Sequence, residues 1–192
     1  MIGCSGLHQV TESKTDENGT MPDLGESFIS ESRTFLTDDY LPKIRIAVGH
    51  LSEEDLWWTP NPVSNSVGNL LLHLSGNLRQ WVVSGLGGAP DGRDRELEFD
   101  PVTHPAREAL LDRVTRAAAD ADAVLAALDP ERLLAMHTIQ GREVTGLRAL
   151  SHAVEHLGMK TGQIRYGAKL RSGEKLGFYE VVDGIPRERW NR

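Results

Sequence analysis

The segment VTGLRALSHAVEHLGMKTGQIRYGAKL, residues 144–170, decides how this chain is read. Leu147, Leu150, Val154, Leu157, Thr161, Ile164 and Ala168 recur at steps of three and four. That spacing lays an apolar seam along one side of a helix packed in a bundle. A second stripe runs beside it through Ala149, His152, His156 and Gln163. Residues four apart stand one turn above another on the same face, so the His152 and His156 imidazoles can reach one metal ion. Glu155 sits between them. The other histidine in similar surroundings is His73, in SVGNLLLHLSGNLRQWVV, residues 66–83.

Working outward, Asn65 or Ser66 caps the helix that carries His73. Val67, Leu70, Leu71, Leu74, Leu78, Trp81 and Val82 form its buried face, and Gly85, Gly87 and Gly88 stop it. An earlier helical segment runs from about Asp23 to His50. Pro42 lacks an amide hydrogen and clashes with the preceding turn, which predicts a kink near Asp38–Leu41 or two shorter helices. Leu51–Glu54 reads as a stop followed by a new capping start. Trp57 and Trp58, before Pro60 and Pro62, are expected to close one end of the core; the alternative is a substrate platform.

Ala89–Pro105 is a long connection of charge and proline, and a connection of that length is often functional or mobile. His104 within it reads as an exposed loop residue. Ala106–Leu128 has helical spacing and an alanine-rich face suited to close helix approach, and Asp129-Pro130 ends it. Leu133–Val144 fits a short hairpin around Gln140-Gly141, with His137 on a strand or its rim. Phe178, Tyr179 and Trp190 predict that the C-terminal segment packs back on the helices.

Composition bounds the function. The chain has 192 residues, 39% hydrophobic and 26% charged, and a net charge of −7. These values suit one globular domain over residues 23–192. Met1–Pro22 is polar and unperiodic, and reads as a disordered leader in which Met21 is a candidate start. The scattered Lys and Arg argue against duplex nucleic acid as a partner. No apolar run approaches the ~20 residues of a membrane span, and no secretory signal pattern opens the chain. Cys4 is the single cysteine. An intrachain disulfide is therefore excluded, which fits a cytoplasmic protein.

Three neutral imidazoles from two helices form a facial ligand set with positions left for water or substrate. Each needs an acceptor for its other ring nitrogen, and Glu155, Asn77 and Gln163 are the candidates. Asp and Glu are missing from the sequence around His73. The alternative is a set of core-edge histidines satisfied by hydrogen bonds, because His-x-x-x-His alone lacks the Glu beside the first His that zinc proteases use.

Two stretches, NSVGNLLLHLSGNLRQWVVSGLGG (residues 65–88) and TGLRALSHAVEHLGMKTGQIRYGAKLRSGEKLGFY (residues 145–179), resemble the DinB-like (YfiT-like) superfamily, nearest its DUF1572-type subgroup. YLPKI (residues 40–44) and EEDLWWTP (residues 53–60) fit the same pattern, so the resemblance spans about residues 36–179. It implies an all-α four-helix bundle with a long crossover between the second and third helices, and a homodimer. It assigns His73, His152 and His156 to a divalent metal, zinc or nickel first, iron or manganese otherwise. Relatives often carry another His four residues beyond the last ligand, where this chain has Lys160. Characterised relatives include transferases and isomerases that use low-molecular-weight thiols. The functional expectation is thus a metal-dependent enzyme, a hydrolase or a thiol-dependent transferase or isomerase, acting on a small electrophile, with Tyr166 or Gln163 orienting the ligand. The alternative is a non-catalytic metal- or ligand-binding stress-response protein.

Overall fold

The computed structural model describes residues 23–100 and 103–190. The expectation for a disordered leader over residues 1–22 lies outside the described residues. The chain is mostly helical. Helix α1 (Leu24–Thr34) starts on Asp23, whose carboxylate accepts from the amides of Gly25 and Glu26. It runs through a wide π turn, Phe35–Tyr40, into α2 (Leu41–Gly49) without a break. The irregularity expected near Asp38–Leu41, or two shorter helices, is present as this π turn between α1 and α2. A π turn widens the spiral by one residue per turn, which absorbs the missing proline donor and the ring's clash with the turn before it.

Helix α3 (Glu53–Trp57) opens with a capping box between Ser52 and Asp55. Helix α4 (Val67–Leu78) opens with a second, between Ser66 and Asn69, and continues as a π turn over Arg79–Ser84. Every residue of α4 is buried, including its polar ones. This helix lies in the middle of the molecule, packed on α6 (Arg107–Ala126) and α7 (Gly146–Ser172). The alanine-rich face of α6 behaves as read: Ala117, Ala118 and Ala121 are fully buried. An Arg33–Asp122 ion pair at 2.7 Å ties α1 to α6.

The connection between α4 and α6 contains one short helix, α5 (Glu96–Phe99), which packs on α4. The expected hairpin is present: β1 (Met136–Ile139) pairs antiparallel with β2 (Arg142–Thr145). Its two turn residues, Gln140 and Gly141, both have positive φ, as a two-residue primed turn requires. A second hairpin, β3 (Tyr179–Val182) with β4 (Ile185–Glu188), was not foreseen. It brings Phe178 and Trp190 back into the core, where both are buried. Trp57 also packs against the core, as expected for a residue closing one end. Leu147 departs from the predicted seam and is 42% exposed. The first turn of α7 borders an open groove shared with Leu24 and Leu134, so its apolar side is not covered there.

Candidate metal centre

The site forms where α4, α7 and the α4–α6 connection meet. His73 lies in the all-buried helix, so its ring is 7% exposed; His156, on the inner side of α7, is 8% exposed. Their Nε2 atoms are 2.9 Å apart. His152, one turn earlier on α7, is half-buried. Its ring packs at a tilt against Trp81, centroids 4.0 Å apart, and lies 5.6 Å from the His156 ring. Asn77 Nδ2 lies 3.4 Å from His152 Nε2, a weak contact in which the amide donates to a ring lone pair.

The buried partner of His73 comes from the connection. Glu98 Oε2 is 2.9 Å from His73 Nδ1, and Arg93 grips the same carboxylate with two hydrogen bonds, 2.7 Å to Oε1 and 2.8 Å to Oε2. The Arg93 and Glu98 side chains are each 4% exposed. This corrects the expectation that no acid stands near His73: none is close in sequence, but Glu98 folds back 25 residues later. Gly76 makes room for it. A Cβ there would overlap Glu98 Oε1 and press on Arg93 Nε. Asn69 fixes the approach by donating through Nδ2 to the carbonyls of Glu98 and Phe99, at 3.0 and 3.1 Å.

Charge and proton placement follow. Burial alone would raise the Glu98 carboxyl, but the hydrogen bonds from Arg93 and His73 and the Arg93 charge hold it below its ordinary 4.5. It is therefore a carboxylate at neutral pH, and its pairing assigns the Nδ1–H tautomer to His73, although Arg93 Nη2 also stands 3.0 Å from that nitrogen. That tautomer leaves a lone pair on His73 Nε2, directed at His156. Burial, and then the neighbouring His73 and Lys160, push His156 down to about 3. His152 is also lowered, by burial and then by Arg148. Both rings on α7 are neutral at pH 7. His156 Nδ1 is buried without a hydrogen-bond partner.

These residues suit a divalent ion in donor chemistry. Two nitrogens each about 2.05 Å from one ion would stand about 2.9–3.4 Å apart at ordinary coordination angles, which brackets the His73–His156 separation. A histidine that donates its second N–H to a carboxylate is the usual support for a ligand. The fit is for two ligands. His152 is adjacent, but among the described residues no group of three His, Cys, Asp or Glu side chains is arranged to hold a metal as it stands.

The remaining candidates fall elsewhere. Glu155 is exposed. Gln163 is exposed and accepts from Lys160 at 3.2 Å, and Tyr166 is 71% exposed. Both line a different cleft, with Trp58 and Arg171. His104 stacks on Trp57 at 4.2 Å. His137 bonds the Gly85 carbonyl at 3.0 Å and pins the hairpin to the end of the α4 rod. Of the proposed acceptors only Asn77 reaches a histidine. Sequence reading missed Arg93 and Glu98, whose one signal was the length of the connection that carries them.

Comparison with known proteins places this geometry. A conserved protein from Enterococcus faecalis is similar in structure, with a TM-score of 0.62 at 19% identity, over 76% of this chain and 97% of that one. A DinB-like protein from Bacillus cereus ATCC 10987 aligns with a TM-score of 0.61 at 17% identity, over 77% of this chain and 93% of that one. No curated protein matches. Among the described residues no helix is long and apolar enough to cross a membrane. The DinB superfamily model matches residues 42–164, a span that holds His73, Arg93, Glu98, His152 and His156, and the chain belongs to the DinB superfamily.

Proposed function

We propose that this protein is a divalent-metal-dependent enzyme whose ion is held by His73 and His156, with His152 as the third ligand. The observation that carries the reading is the 2.9 Å approach of two Nε2 atoms, one of them a lone pair fixed by the Glu98 carboxylate. A hydrogen bond from His156 Nε2–H to His73 spans that distance in the absence of metal, and an ion between the two nitrogens would take the place of that proton. A divalent ion at such a site lowers the pKa of a bound thiol or water into the neutral range.

The chain's own residues set the conditions for that chemistry. Glu98 keeps His73 in the Nδ1–H tautomer, and Arg93 keeps Glu98 charged and in place. Trp81 packs against His152, and burial keeps the His152 and His156 imidazoles unprotonated. We read the reaction as attack of a low-molecular-weight thiol, or of water, on a small electrophile. The metal is zinc or nickel, with iron or manganese as alternatives. The fuller architecture of this reading is a four-helix bundle with a long crossover, working as a cytoplasmic homodimer.

A second reading, a non-catalytic metal- or ligand-binding protein, draws on one observation. Glu98, the buried acid at the site, is fully engaged by Arg93 and His73, so no free carboxylate stands ready as a general base.

The test is bound metal in untagged protein, by plasma mass spectrometry, beside His73→Ala, His152→Ala and His156→Ala. Near-stoichiometric metal that is lost in the variants is expected. Thiol-dependent consumption of epoxides and maleylpyruvate is then expected of the loaded protein alone. A wild-type protein that takes up neither zinc, nickel nor iron would sink the metal reading. Metal without turnover for any thiol or for water would favour the second.

A further inference from the structure

Residues Arg148, His152, His156 and Lys160 follow one another at intervals of four along α7. This row places a cation one turn before the two histidines and another one turn after them. Arg95, on the connection, adds a third cation. Its guanidinium lies 5.0 Å from the Phe99 ring, and Phe99 packs 4.9 Å from the His73 ring. Lys160 is half-buried, and its Nζ finds a neutral partner, Gln163. Burial, and then the Arg95 charge, lower the Lys160 ammonium. Several other cations are paired with carboxylates: Arg33 with Asp122, Arg79 with Asp120, Arg93 with Glu98 and Arg171 with Asp55. Among the described residues no ion pair joins Arg95, Arg148 or Lys160 to a carboxylate. Glu155, the acid that faces His152 from the same helix, is exposed and forms no ion pair with them.

We infer that Lys160 and Arg95 form a receptor for an anionic group of the substrate, beside the histidines, and that Arg148 draws the same anion toward the site. Like charges held together at the edge of a buried site cost stability, and a bound anion relieves that repulsion. The net charge of −7 makes the placement more telling, since the surface as a whole repels anions. Spacing fixes the ligand's shape. The four residues from His156 to Lys160 rise about 6 Å along α7, so the anionic group stands roughly that far from the atom presented to His156. The chemical class is a small organic acid whose carboxylate lies three to five bonds from its reactive carbon. Arg95 supplies a planar fork that holds a carboxylate or a phosphate, and titrating succinate beside inorganic phosphate distinguishes the two. The inference rests on the reading of the histidines as the reacting centre, but the anion receptor itself does not need the metal.

Calorimetric titration separates the two. Succinate, acetate, inorganic phosphate and the uncharged succinamide are titrated into the protein as purified and into chelator-stripped protein. The same is done for Lys160→Met, Arg95→Met and the distant control Lys175→Met, with metal content measured for each. The expected result is succinate binding weakened at least tenfold by either of the first two substitutions and unchanged in Lys175→Met. Metal content should equal that of wild type, and succinamide should not bind. Tighter binding of phosphate than of succinate would overturn the carboxylate assignment. No anion binding by wild type, or equal binding in all variants, would overturn the receptor. Loss of charge-dependent binding only on chelation would assign the anion to the ion and not to Lys160 and Arg95. A protein that never takes up metal but still binds succinate through Lys160 would refute the metal reading and leave the receptor standing. Both substitutions relieve repulsion at the surface, so melting temperature should hold or rise, and a variant that melts early is read from the other.

Discussion

At the scale of single residues, Glu98 carries more than its position in a polar connection suggests. It balances a buried guanidinium and sets the proton on His73 in one arrangement. Removing one member of a buried ion pair costs about 3–5 kcal/mol, because the other is left uncompensated. Glu98→Gln should therefore lower unfolding free energy by roughly that amount in urea titrations, and weaken metal binding by about 10–100-fold through the lost support of the ligand. The pH dependence of the metal-stripped protein follows from the same groups. The His156 value is depressed from 6.5 to about 3, so the unfolded chain binds the extra proton between those limits. Stability is then complete above pH 6.5 and lost as pH falls toward 3, at about 1.4 kcal/mol per pH unit for one proton. Glu98, also held low, adds loss in the same direction once pH drops below 4.5. Urea midpoints measured from pH 7 to 3 check this, and a midpoint that rises on acidification would contradict it.

Among the elements, α5 depends on one side chain of α4. Asn69 closes the α4 capping box and also holds the last two carbonyls of α5. Asn69→Ala should cost about 1–3 kcal/mol, the usual range for leaving buried groups unpaired. It should weaken metal binding more than a comparable loss elsewhere, for example Ser32→Ala on α1, whose hydroxyl bonds only the Phe28 carbonyl. Equal metal affinity in the two variants would mean that α5 does not position Glu98. The elements also show how far sequence reaches. Periodicity located α4, α6 and α7 because their packing repeats every turn, and Gln140-Gly141 located the hairpin because the primed turn demands positive φ. Pro42 marked the place where the first helical segment divides, but not the form of the division, since a π turn leaves no mark in hydrophobic spacing. Asp183-Gly184, also a positive-φ pair, passed unread because Pro186 in the second strand argues against a strand in sequence. The histidines were legible as a pair plus one; Arg93 and Glu98 were not, because charges in an unperiodic connection look the same whether solvated or folded inward.

For the whole molecule, the C-terminal segment completes the core. Trp190 donates through Nε1 to Asp39 at 3.1 Å, and Lys43 lies 3.8 Å over its ring. Leu176 and Phe178 are buried beside it. Ending the chain after Lys175 would remove three large buried apolar side chains, each worth about 1.5–3 kcal/mol. The truncated protein should lose at least ~3 kcal/mol and melt well below the full chain by calorimetry. It should keep its metal when folded, since none of the removed residues touches the histidines. Metal loss without a change in melting would show that the segment serves the site and not the core.

The complete burial of α4 has a kinetic side. A helix enclosed on every side opens only when the molecule unfolds, whereas a four-residue helix held by a few side-chain bonds opens locally and often. His73 belongs to the first class and Glu98 to the second. The two halves of the site therefore keep different time. Backbone amides of residues 67–78 should exchange with deuterium on the scale of global unfolding, and those of residues 96–99 far sooner. The lifetime of anything held at the histidines is then set by how often the short helix swings away.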